Sequence, residues 1–152
     1  MSKSAAAVHE YETKSAAGTI AIGRKLADVL TPPKLLILRG DLGAGKTTLV
    51  KGIATALGAA EQDEVTSPTF NLVHEYAGTL NDKPIKLLHL DLYRLDAERQ
   101  LESLGLEEMR TDDAIVLVEW GEKFASIRDH ADGEIAVSSA GGDTRKIVVT
   151  LN

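Results

Sequence analysis

The sequence predicts a single α/β domain, with a mostly parallel central sheet flanked by helices and antiparallel strands at its margin. Three observations lead there. Apolar runs of strand length alternate with runs of helical period. The stretch GDLGAGKTT, Gly40 to Thr48, follows the apolar run LLIL and precedes a further helical run. The tail carries EIAVSS and KIVVTL on either side of Gly141-Gly142, the pattern of a hairpin.

Taken in order, Thr13 to Leu30 reads as a helix, with Ile20, Leu26, Val29 and Leu30 among its apolar positions and Pro32-Pro33 as its stop. Leu35 to Leu38 is a buried strand. The next helix runs to about Leu57, and Gly58 suits its C-terminal cap. Thr69 to Tyr76 and Ile85 to Asp91 read as strands joined by a turn around Gly78 to Pro84. Glu98 to Met109 is helical with a break at Gly105, and Ala114 to Glu119 is another buried strand. At 152 residues the chain suits one domain, and it contains no internal repeat or low-complexity stretch.

Gly40, Gly45, Lys46 and Thr47 satisfy G-x-x-x-x-G-K-[ST]. In such a loop the backbone N–H groups cradle phosphate oxygens, the lysine reaches the β- and γ-phosphates, and the Thr47 hydroxyl suits Mg²⁺. The glycines allow the backbone to turn sharply and approach the anion closely. The helix that follows adds the partial positive charge of its N-terminus. The fold expected is therefore P-loop NTPase-like, and the loop is expected to bind a nucleotide.

Composition narrows the alternatives. With 43% hydrophobic but only 4% aromatic residues, the core should be mostly aliphatic. The chain has no cysteine, which excludes disulfides, thiolate metal sites and cysteine nucleophiles and is compatible with a reducing cytosol. No apolar run is long enough for a membrane span, and MSKSAAAVHEYET lacks the apolar segment of a secretory leader. Net charge is −6, with 23 acidic and 17 scattered basic residues. A protein that grips nucleic acid by its phosphates carries a basic patch, so any nucleic acid involved is expected to be held by something else.

Ligands of open α/β sheets bind beyond the carboxyl ends of the strands. One strand there ends in the phosphate loop. IKLLHLDLYRL delivers Asp91, flanked by His89, Tyr93 and Arg94, and AIVLVEW delivers Glu119 and then Trp120. A P-loop enzyme uses acids at neighbouring strand ends to hold the Mg²⁺ shell or orient the attacking water, and spacing leaves those two roles undivided between Asp91 and Glu119. Ser67-Pro68-Thr69 places two hydroxyls on a proline-stiffened turn, a plain turn by its spacing and a γ-phosphate sensor in nucleotide switches. His89 reads as a satisfied, partly buried histidine rather than a base. Arg94 suits an ion pair with Asp91 or another acid.

GDLGAGKTT, SPTF, HLDLYRL and EW, in that order, resemble the TsaE (YjeE) family of bacterial tRNA threonylcarbamoyladenosine biosynthesis proteins, over nearly the whole chain. The resemblance implies a small cytoplasmic ATPase. It would work with TsaB-like and TsaD-like partners in attaching threonylcarbamoyl to adenosine 37 of tRNAs that read codons beginning with A, its ATP hydrolysis resetting the transferase complex. It implies that Leu42, Gly43, Ala44, Gly45, Lys46, Thr47 and Thr48 bind the ATP phosphates and that Thr47 and Glu119 hold Mg²⁺. Asp91, in HxDxYR, would be the hydrolysis-critical acid, and Thr69, in SPTF, part of a switch loop. Thr13 would lie near the base, with Trp120, Glu122 and Arg145 as further nucleotide contacts. Where many relatives read EWPE this chain has EWGE, so Gly121 removes a rigid proline beside Glu122.

Three rivals remain. A stand-alone small-molecule or nucleotide kinase would use the same loop, but it needs an acceptor pocket and a lid carrying several arginines, and no arginine-rich insertion is present. A GTPase switch would want N-K-x-D, which NDKP at Asn81 to Pro84 does not supply. A non-catalytic nucleotide-gated scaffold would use overlapping residues.

Overall fold

In the computed structural model, which describes residues 7–41, 44–61, 64–68 and 72–152, seven strands form one mixed sheet. The strands are β1 (Ala7–Thr13), β2 (Lys34–Arg39), β3 (Val73–Leu80), β4 (Lys83–Asp91), β5 (Ala114–Glu119), β6 (Gly133–Ser139) and β7 (Arg145–Leu151). Their order across the sheet is β1-β7-β6-β2-β5-β4-β3. The central four, β6, β2, β5 and β4, are parallel. β3 closes one edge and β7 and β1 the other, all antiparallel, as the sequence predicts.

Burial explains the central strands. β5 is buried at every position and β2 at its four central ones, so both read as unbroken aliphatic runs rather than alternating ones. On one face Leu36, Leu38, Leu87, Ile115 and Leu117 pack with α1 (Ala16–Leu26) and α2 (Lys46–Ala56). On the other, Leu35, Ile37, Leu88, Leu90, Val116 and Val118 pack with residues of α3 (Glu98–Leu104), α4 (Leu106–Met109) and α5 (Ala125–His130). Within the first layer α1 and α2 meet backbone to backbone. A Cβ on Gly23 would lie 2.3 Å from Leu49 O, and one on Gly52 2.1 Å from Ile20 O.

Several boundaries differ from the sequence reading. Thr13 ends β1 instead of opening a helix, because Ala7–Thr13 pairs with β7 in register Thr13↔Arg145. The helix starts only at Ala16, where the Ser15 hydroxyl accepts the Gly18 N–H at 3.0 Å and so caps the first turn. It ends at Leu26, short of the two prolines. The β3–β4 turn is Asn81-Asp82, with φ of 52° and 66°. Both residue types tolerate the left-handed region that a two-residue hairpin needs, so Gly78 and Pro84 lie inside strands. β3 begins at Val73, and the expected start of that strand at Thr69 lies outside the described residues. α3 and α4 divide at Gly105, φ 82°, as anticipated. β1, α5 and the 3₁₀ turn Gly121–Lys123 have no counterpart in the sequence reading.

Candidate nucleotide-binding site

The carboxyl ends of β2, β5 and β4 converge. β5 lies between the other two, with Leu38 in register with Glu119 and Glu119 in register with Asp91. β2 leads through Gly40 into the loop, where a Cβ on Gly40 would fall 2.5 Å from Val137 O. Only glycine allows that approach. Gly45, at φ 106°, opens α2 and has no side chain with which to cap it. The first N–H groups of a helix have no intrahelical acceptor, and here their natural complement is an anion.

Lys46 folds back across this opening. Its Nζ donates to Gly40 O at 2.6 Å and to Glu119 Oε1 at 3.0 Å. The other carboxylate oxygen, Glu119 Oε2, accepts from His89 Nε2 at 2.6 Å. Burial would raise the Glu119 carboxyl, but the hydrogen bond from His89 and the hydrogen bond and charge of Lys46 outweigh it and hold the group below the ordinary glutamate value. Asp91 is buried, and its Oδ1 accepts the Tyr93 N–H at 3.0 Å, which fixes the turn leaving β4. Its own N–H donates to Leu72 O at 2.9 Å.

Trp120 follows Glu119 with φ 64°, an uncommon conformation for a bulky residue. Its ring is partly exposed, 5.3 Å from that of Tyr93, with Lys46 Nζ 5.9 Å from its centroid. Glu122 turns away toward Arg39, with Oε2 3.8 Å from the guanidinium. Its Oε1 is buried with no hydrogen-bond partner among the described residues.

On the other side of the loop, a cavity of about 130 Å³ is lined by Ser15, Thr19, Gly45, Thr48, Asp143 and Arg145. The Arg145 guanidinium donates to Gly142 O at 2.8 Å and Thr144 O at 3.0 Å, which holds it against the β6–β7 turn. Thr13 is buried beneath this cavity, its hydroxyl 2.8 Å from that of Thr19. A larger concavity, about 510 Å³ beside Arg24, Thr55, Glu61 and Glu64, lies at the far end of α2, remote from these groups.

The structure thus gathers Lys46, Asp91, Glu119 and Trp120 on the β5–β4 side of the loop, and Thr48 and Arg145 on the β7–β1 side with Thr13 beneath. Ala44 is buried and Thr47 half-buried at the start of α2. Leu42, Gly43 and Thr69 lie outside the described residues. Sequence reasoning missed Ser15 and Asp143, which line the cavity, and the bond from His89 to Glu119. Serine before a helical run is an N-cap signal that would have placed Ser15, but Asp143 in its turn carries no comparable mark.

A family model described as threonylcarbamoyl adenosine biosynthesis protein TsaE matches residues 13–147. A tRNA threonylcarbamoyladenosine biosynthesis protein TsaE of Bacillus subtilis is 40% identical over 143 residues, 94% of this chain and 82% of the relative. The protein of that name from Streptomyces coelicolor is 37% identical over 134 residues, 85% of this chain and 87% of its own. The crystal structure of Bacillus subtilis YdiB superposes with a TM-score of 0.69 at 31% identity, covering 98% of this chain and 88% of that one. With a family model over residues 13–147 and these relatives across nearly its whole length, the chain belongs to the TsaE family.

Proposed function

We propose that this protein binds and hydrolyses ATP with Mg²⁺ as a cytoplasmic subunit of the tRNA threonylcarbamoyladenosine machinery, and that its ATP cycle resets a complex of TsaB-like and TsaD-like proteins. The observation that carries the reading is the Lys46–Glu119 contact of 3.0 Å, which joins the phosphate loop to the acid of the adjacent strand. Both groups sit beside the helix start at Gly45. A cation donor, a carboxylate and the N–H groups of a helix start within one opening suit a polyphosphate carrying a divalent cation.

Sheet order supports one direction for the nucleotide. The terminal phosphate belongs on the side of β5 and β4, and the ribose and base belong toward β7 and β1, where the cavity beside Thr48 and Arg145 opens. Bound Mg²⁺ would neutralise charge on the phosphates, held by Thr47 and Glu119. Lys46 leaves Glu119 for the phosphates, Asp91 orients the attacking water, and the Ser67–Thr69 segment senses the terminal phosphate. Contact with tRNA is indirect, in keeping with the net charge of −6.

The test is ATP hydrolysis by the purified chain, alone and with TsaB-like and TsaD-like proteins plus tRNA. Slow turnover alone that rises with the partners is expected. Fast turnover alone, or phosphate transfer to a small acceptor with no partner effect, would replace this reading with that of a stand-alone kinase.

A further inference from the structure

His89 lies on β4, fully buried, with its neighbour on β5 at Leu117. Its ring faces the same layer as Leu87 and Leu117. From there Nε2 reaches diagonally to Glu119 Oε2 at 2.6 Å. Nδ1 is equally buried and has no hydrogen-bond partner among the described residues. A buried N–H without an acceptor is costly, so the ring arrangement with the proton on Nε2 is the one this pocket accommodates. That proton is directed at one oxygen of Glu119. Full burial and this engagement also remove His89 from contact with an attacking water.

The two oxygens of Glu119 therefore have unlike partners. Oε1 is held by Lys46, a flexible side chain on the phosphate loop. Oε2 is held by a ring embedded in the sheet. When Lys46 turns to the phosphates, Oε1 is released while Oε2 keeps its donor.

We propose that His89 is a positioning residue for Glu119. It locks one carboxylate oxygen and leaves the other as the single exchangeable position, so that the acid exchanges lysine for the nucleotide's divalent cation without losing its orientation. This rests on the reading of Glu119 given under Proposed function. Outer partners that orient a metal-ligating group are commonly worth about 10–100-fold in metal affinity.

The experiment measures ATPγS binding by calorimetry, with Mg²⁺ and with EDTA, for the parent, His89→Leu, His89→Gln and His89→Asn. Glutamine places its amide N–H near the position of Nε2, whereas asparagine reaches only that of Nδ1. His89→Leu and His89→Asn should lose about tenfold or more of the affinity gained from Mg²⁺, with EDTA affinity unchanged, and His89→Gln should recover most of it. Equal behaviour of glutamine and asparagine, an unchanged Mg²⁺ gain in His89→Leu, or equal loss with and without Mg²⁺ would overturn the proposal. A parent that binds ATPγS with no Mg²⁺ gain would overturn the reading of Glu119 itself, a failure distinct from any of these. Independently of the variants, the ring ¹⁵N shifts of His89 in the parent should show a protonated Nε2 and a bare Nδ1, with and without Mg²⁺–ATPγS. A proton on Nδ1 would also overturn it.

Discussion

Lys46 and Glu119 meet at 3.0 Å although about half the length of the chain separates them. The contact closes the phosphate loop onto the end of β5, and the same lysine is held to Gly40 O at 2.6 Å. In the proposed cycle the lysine would leave both of these groups for the phosphates. Lys46→Ala should weaken ATP binding by about tenfold or more, since charge-assisted contacts of this kind contribute roughly 1.5–3 kcal/mol. Equilibrium dialysis would measure it, and an affinity equal to the parent's would show that the loop does not hold phosphate through Lys46.

Asp91 behaves differently in the proposed cycle. Asp91→Asn can still accept the Tyr93 N–H that Oδ1 now accepts, so the turn after β4 should survive. We expect ATP affinity close to the parent's and a turnover lowered by about 100-fold, read as kcat against the binding constant. Parallel loss of both would assign Asp91 to structure alone.

Trp120 is the only tryptophan in the sequence, and Lys46 Nζ lies 5.9 Å from its ring. Withdrawal of that charge onto phosphates changes the field at the indole. Intrinsic fluorescence should shift on adding nucleotide, and the shift should shrink in Lys46→Ala at saturating nucleotide. Emission that ignores nucleotide in the parent would separate Trp120 from the loop.

The Gly23–Gly52 contact makes a stability prediction. Alanine at either position returns about 1 kcal/mol of helix propensity. Its Cβ, however, meets backbone oxygen at 2.3 Å from Gly23 or 2.1 Å from Gly52, and overpacking of this kind costs about 3 kcal/mol. The net loss should be about 2 kcal/mol, visible as a lower urea midpoint at unchanged slope. A midpoint at or above the parent's would mean that the helices can separate freely.

Glu98 supplies a pH dependence away from the site. Its carboxylate accepts from the Ser126 hydroxyl at 2.6 Å and from the Ser126 N–H at 3.3 Å, and these bonds hold it below the ordinary glutamate value. The stabilisation is present above the unfolded-state value and is lost as pH falls through the lowered one. Ser126→Ala should raise the Glu98 midpoint in an NMR titration and reduce the acid sensitivity of the α3–α5 contact. An unmoved midpoint would place the cause elsewhere.

The parts of this molecule that were legible in the sequence are those whose signal is local. β5 is six consecutive buried residues and lies where the aliphatic run predicts, and the left-handed Gly105 divides α3 from α4 as expected. β1 was not legible. Its inner positions include His9 and Tyr11, and its strand character comes from pairing with β7, near the other end of the sequence. The misreading of Thr13 follows from that. For the site, strand ends with acids could be named, but not that β5 lies between β2 and β4, the arrangement that brings Glu119 rather than Asp91 to Lys46. His89 was visible as a residue type and its burial partly foreseen, yet its bond depends on a diagonal step between neighbouring strands.

The backbone contact between α1 and α2 also decides which half of the protein is free to respond. A joint with no intervening side chains has no rotamers to rearrange, so the two helices are carried as one block. Ser15 at the front of α1 and Gly45 and Thr48 at the front of α2 border the same cavity. The block therefore presents its two helix starts as an anvil of fixed spacing. On the opposite flank the tips of β4 and β5 bear Tyr93 and Trp120, both still open to solvent. In the proposed cycle a nucleotide would find one wall already set at its sugar end, and would leave its mark on the other wall, where its terminal phosphate would sit.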